Sequence, residues 1–180
     1  MRYLVKIIWI FISLIFICYL LLPNRSFPKL PPNSLQSYEP ADSESFYRRS
    51  YFTNLDREEV MSHYFSEFEK DSLLNIYLPT YRLNYPPEEA YEKIRDQTRS
   101  TFLEEIVHPF RESLYINGFE PKEEKDTIFI DGRIWRQKIT VVFVPSNLLV
   151  RFLVGIVILN IAVLVLKQWR LFFVRFKKDN

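Results

Sequence analysis

The sequence predicts an α+β domain bracketed by two transmembrane helices, and three observations carry that reading. Apolar residues crowd the two ends, helical and extended patterning alternate in a charged centre, and an Asp-Gly pair separates two β-rich runs. Over 180 residues the mean hydropathy of -0.10 looks like that of a soluble chain only because it averages these unlike parts. Only 3 glycines are present, against about 12 or 13 at ordinary usage. That scarcity argues against phosphate-cradling loops and nucleophile elbows, whose turns need glycine.

Residues 1–22 are read as an N-terminal anchor. Tyr3 to Leu22 is a 20-residue apolar run broken by Lys6 alone, and about 20 helical residues cover the ~30 Å hydrocarbon core of a bilayer. A cleaved signal peptide would have a shorter apolar region ending in small residues. Here Pro23, Asn24 and Arg25 follow instead. Residues 148–168 form the second expected span, with Arg151 near its start, Asn160 near its middle and Trp169 at its far boundary. Arg151 is expected to snorkel to the headgroups. A mid-bilayer amide such as Asn160 favours helix association through an interhelical hydrogen bond.

Charge orients the chain. Outside residues 23–147, eight basic groups face the single acid Asp179, while the middle segment holds 16 basic and 21 acidic residues. Lysine and arginine next to spans stay on the cytoplasmic side. Both termini are therefore expected in the cytoplasm of a cell (plasma or inner) membrane protein, with residues 23–147 extracytoplasmic. Residues 169–180 form a basic tail, and Arg151, Lys167, Trp169, Arg170, Arg175, Lys177 and Lys178 are the expected membrane-interface residues.

Between the spans, residues 23–45 carry five prolines and are read as a semi-rigid stalk that tolerates displacement near Ser37. Residues 46–147 are the expected domain. Phe46 to Thr53 is β-rich. Asp56 with Glu59 three residues on has the form of a capping box, followed by a helical stripe of Val60, Met61, Tyr64, Phe65 and Phe68. Asn75 to Tyr85 reads as an extended segment that Pro79 assigns to an edge or irregular strand. Pro86 and Pro87 then open a long expected helix with the stripe Ala90, Ile94, Thr98, Phe102 and Ile106, resuming after Pro109 and stopping at Gly118. Asp126 to Ile130 and Arg133 to Val144 make a hairpin around Asp131-Gly132. The expected order is β-α-β-α-β-β, a mostly antiparallel sheet with helices on one face.

Chemistry is thinly signalled. The one cysteine, Cys18, lies in the first apolar run, which leaves the domain without a disulfide or a thiol site. Glu59, His63 and Glu67 share a helix face, yet that face lies opposite the apolar stripe and reads as solvated, so no metal site and no cofactor are assigned. His108-Pro109 reads as punctuation. Hydrolase signatures are missing from the sequence. What stands out is interleaved Tyr and Arg: Tyr47, Arg48, Arg49 and Tyr51 in one strand, and Tyr81, Arg82 and Tyr85 before the double proline. Such side chains suit a ligand surface for sugars or peptides. A net-acidic external segment disfavours nucleic acid. The expectation is a non-enzymatic interaction or assembly module, an accessory subunit of an envelope membrane complex, with protein partners or self-association through the spans and the domain. A tethered glycan- or peptide-binding domain is the alternative, and a small envelope enzyme the third.

Overall fold

The computed structural model describes residues 2–70, 74–95 and 97–179, with side chains in the last helix described as far as Phe172. In chain order the elements are α1 (Arg2–Leu21), β1 (Leu35–Gln36), β2 (Arg48–Thr53), α2 (Arg57–Glu69), β3 (Tyr81–Tyr85), α3 (Ala90–Lys93), β4 (Phe102–Val107), β5 (Ser113–Phe119), β6 (Ile128–Ile130), β7 (Arg133–Trp135), β8 (Gln137–Val144) and α4 (Leu148–Asp179). They divide into two compact units, residues 24–145 and the terminal helices. The expected class holds: the described residues are α+β, with antiparallel sheet and four α-helices.

In residues 24–145 six strands pair in the order β1-β2-β8-β5-β4-β3, every neighbour antiparallel, while β6 and β7 form a separate hairpin. Strand side chains alternate between faces, so the register assigns each residue a side. One side carries Tyr51, Phe102, Ile106, Leu114, Ile116, Ile139, Val141 and Phe143, and α2 lays Val60, Met61, Tyr64 and Phe68 onto it. Each such side chain contributes about 1.5–3 kcal/mol when fully buried. The opposite side packs Leu103, Tyr115 and Val142 against Ala90 and Ile94 of α3 and its C-cap. Helices therefore cover both faces of the sheet, not one.

Helix α2 starts where the capping signal places it. The Asp56 carboxylate accepts from the Glu59 amide at 2.9 Å and the Glu59 carboxylate accepts from the Asp56 amide at 2.7 Å. The Asp131-Gly132 turn also forms, with φ of 51° and 73°, the left-handed pair that a type I′ hairpin turn requires. Its strands are shorter than expected, because the chain breaks between Trp135 and Gln137 and β8 leaves for the main sheet.

The expected long helix after Pro87 is absent. Among the described residues of this stretch only Ala90–Lys93 is α-helical, and Phe102–Val107 and Ser113–Phe119 are adjacent strands of the sheet. The i,i+4 stripe is real but coincidental: Phe102 and Ile106 face α2 because they are separated by an even number of residues. Leu103 is buried on the other side, so the usual polar half of the alternation is missing. Gly118 is no helix cap either. It lies in β5 opposite Phe102, and a Cβ there would strike that ring.

The proline-rich stretch is not a free stalk. Phe27 packs on the α2-side core, Leu35 and Gln36 pair with Phe52 and Tyr51, and Ser37 and Asp42 are buried. The Lys29 carbonyl lies 3.1 Å from His63 Nε2. Prolines without amide donors suit a segment that lies across a domain and pairs at one short edge.

The terminal helices make the second unit. Tyr3–Leu21 and Leu148–Phe172 are each long and apolar enough to cross a membrane. They pack where α4 is smallest: a Cβ on Gly155 would strike Leu20, which is fully buried. Arg151 packs against the other helix. It is buried and donates from Nη1 to the Leu22 carbonyl at 3.1 Å, supplying a donor to a helix end whose last carbonyls lack intrahelical partners. Asn160 bonds within its own helix, Nδ2 donating to the Ile156 carbonyl at 2.8 Å. Lys167, Trp169 and Arg170 are exposed, whereas the side chains of Arg175, Lys177 and Lys178 lie outside the described residues.

Candidate functional site

The Tyr/Arg residues singled out in the sequence do not converge. They sit on β3 and beside or on β2, which the sheet order separates by three strands, and alternation splits each group again. Tyr51 is buried in the α2-side core. Arg49 stacks on Phe27 at 4.6 Å, while Arg48 is buried on the other face, donating to Glu44 at 3.3 Å and to the Arg95 carbonyl at 3.1 Å. Tyr47 is partly exposed, its ring 5.9 Å from Phe143. Arg48 and Tyr51 are thus committed to packing on opposite faces, and only Tyr47 and Arg49 share a neighbourhood, beside the Phe46 ring.

The β3 edge is different. Among the described residues β3 pairs only with β4, leaving one row of its backbone groups open. Proline flanks the strand at 79 and 86 but does not interrupt it. Tyr81 and Leu83 project on the α3 side at 57% and 41% exposure. The far edge is blunted, since β1 has two residues.

Two carboxylates that sequence reasoning left unassigned brace this edge from β4. Glu104 faces α2 and is fully buried; it accepts from Arg57 Nε at 2.6 Å and from Arg82 through both Nε and Nη2. Arg82 also grips Glu58 at 2.7 and 2.8 Å. Hydrogen bonds to Glu58 and Glu104 hold the Arg82 guanidinium charged, and its hydrogen bond lowers the Glu58 carboxyl below the usual range. Glu105 faces the other way and accepts from Tyr85 Oη at 2.6 Å. That hydrogen bond, then burial, raises the Tyr85 phenol well above its ordinary value; burial first and the Glu105 charge second push Tyr115 up to about 12. Both phenols stay neutral near pH 7 and serve as donors. Being neighbours in a strand, Glu104 and Glu105 point to opposite faces, and each anchors one side of the outer strands.

A groove of about 360 Å³ lies at the C-terminal end of β3 between Asn84, Tyr85, Pro86, Arg57 and Phe102. A second, of about 250 Å³, runs past Met61, Phe65 and Arg82. The edge is thus an open strand with shallow recesses beside it and its one charge already neutralised.

Elsewhere polar side chains are committed to structure. Asp42 is buried among Ser37 at 2.5 Å, Ser50 at 3.0 Å and Lys138 at 2.6 Å. His108 is buried, stacked on Phe68 at 4.2 Å, with Nδ1 3.1 Å from Glu112. Glu59 is used by the α2 cap and His63 faces the Lys29 carbonyl, so the two do not form a ligand set. Among the described residues no group of three or more His, Cys, Asp or Glu side chains is placed to hold a metal ion. No protein-family model matches this chain, and no curated protein or solved structure matches it either.

Proposed function

We propose that the chain is a membrane-anchored interaction module, an accessory or assembly subunit whose two apolar helices hold the 24–145 domain extracytoplasmically while β3 adds a strand from a protein partner. The observation that carries this reading is the open β3 edge. A sheet edge recognises extended backbone, and alternate side chains confer choice. Tyr81 and Leu83 supply an apolar row, while the charge of Arg82, which would otherwise oppose edge pairing, is neutralised by Glu58 and Glu104. The tethered glycan-binding alternative needs the Tyr/Arg side chains on one surface, and the register separates them.

A photoreactive residue at position 83, in native membranes, is expected to crosslink to one protein of defined mass. The same probe at Ile134, equally apolar and 66% exposed in β7, serves as the comparison. Leu83→Lys is expected to abolish co-purification while changing the unfolding free energy by about 0.5 kcal/mol or less, as for other surface substitutions. Equal crosslinking from both positions, or co-purification that survives Leu83→Lys, would remove the edge from the reading.

Orientation is tested separately. In a Cys18→Ser background, Glu123→Cys is expected to react with a membrane-impermeant maleimide on intact cells. Reaction only after permeabilisation would place the domain in the cytoplasm.

A further inference from the structure

The terminal helices are closed at one end and open at the other. Near Leu20 and Gly155 they meet in tight packing. Toward the start of α1 and the later turns of α4 they part around a groove of about 550 Å³, walled by Ile8, Trp9 and Leu166 and rimmed by Lys6, Lys167 and Arg170. The only acid outside residues 24–145 is Asp179, and the described ion pairs include none of the three rim cations. An apolar slot between helices with three cations at its mouth complements one kind of occupant: an apolar chain that ends in an anion.

We propose that this groove is a binding site for an anionic phospholipid, with an acyl chain lying against Trp9 and Leu166 and the phosphate-bearing headgroup held by Lys6, Lys167 and Arg170. Basic recesses between membrane helices suit anionic headgroups in this way. Each cation near an anionic surface contributes about fivefold in occupancy. The inference rests on the two-span reading above, since the groove meets lipid only if both helices are inserted.

Trp9 is a built-in reporter. In a Trp135→Phe, Trp169→Phe background the full chain is reconstituted into phosphatidylcholine vesicles containing one quarter phosphatidylglycerol, with bromine on the acyl chains of one lipid or the other. At equal mole fraction, brominated phosphatidylglycerol is expected to quench Trp9 more strongly than brominated phosphatidylcholine. Lys6→Gln is expected to reduce that preference about fivefold, and the triple Lys6→Gln, Lys167→Gln, Arg170→Gln variant to abolish it. Arg175→Gln, Lys177→Gln, Lys178→Gln should keep it, which separates the groove from general attraction to a basic tail. Equal quenching by both lipids overturns the site, as does a preference that is undiminished in Lys6→Gln, survives in the triple variant or disappears with the tail variant alone. Resistance to carbonate extraction is read on the same vesicles: a chain extracted from them overturns the two-span reading, whereas an inserted chain without lipid preference overturns the site alone.

Discussion

Asp42→Ala is expected to destabilise the 24–145 domain by about 3 kcal/mol, the lower end of the cost of breaking a buried ion pair. The carboxylate is buried and accepts from Ser37, Ser50 and Lys138, and Ser50 is hydrogen-bonded in turn to Thr140 at 2.8 Å. Its removal leaves two hydroxyls and an ammonium to find new partners, although Lys138 keeps some access to water. The measurement is urea unfolding of the full chain in detergent, followed through Trp135 with Trp9 and Trp169 replaced by Phe. The pH dependence has a definite sign. Burial alone would raise the Asp42 carboxyl, but Lys138 and the two serines outweigh it and the net shift is downward. A folded-state pKa below the unfolded one contributes stability that is present above about pH 4 and is lost as pH falls through the folded value. The gap between wild type and Asp42→Ala should therefore be widest near neutrality and narrow below about pH 4. A gap independent of pH down to pH 2 would mean that the carboxylate charge contributes nothing.

Glu104→Ala is expected to cost about 2–3 kcal/mol, less than a fully buried pair would lose. Its partners Arg57 and Arg82 are 38% and 33% exposed, and Arg82 retains Glu58. The effect should be local. Amide exchange in β3 and β4 is expected to accelerate more than in β2 and β8, because Arg82 ties the edge strand to β4 through this carboxylate, which Arg57 of α2 shares. In a double-variant cycle, Glu104→Ala with Arg82→Ala should show coupling of about 0.5–3 kcal/mol. Uniform acceleration across the sheet would mean that Glu104 supports the core in general.

Local signals with a single physical meaning were legible in the sequence. The Asp56 and Glu59 box, the Asp131-Gly132 turn and the two apolar ends each depend on neighbours within a few residues. β4 and β5 were illegible for the opposite reason. A strand buried on both faces has no polar alternation, and Glu104 and Glu105 disguise the run further as a charged helix surface. Only tertiary structure satisfies them, through the Arg57 and Arg82 charges on one side and a hydrogen bond from Tyr85 on the other. The candidate site was half visible. Pro79 marked an edge strand near Tyr81, Arg82 and Tyr85, and that strand is the open edge. The Tyr47 to Tyr51 group was misleading, because adjacent residues in a strand point to opposite faces, and one such period-two count already divides Arg48 from Arg49 and Tyr51.

The bond from Arg151 to the Leu22 carbonyl joins positions 129 residues apart. A ribosome adding about 5–20 residues per second takes roughly 6–25 s to make the intervening chain. For that interval the first helix has neither Gly155 to receive Leu20 nor a guanidinium at its carboxyl end. The whole 24–145 domain is synthesised while that helix waits, so the helix must tolerate its surroundings alone before it acquires a mate. Chains stalled before residue 148 should accordingly be captured by whatever cellular machinery shelters solitary apolar helices, and chains extended past Arg151 and Gly155 should be released from it.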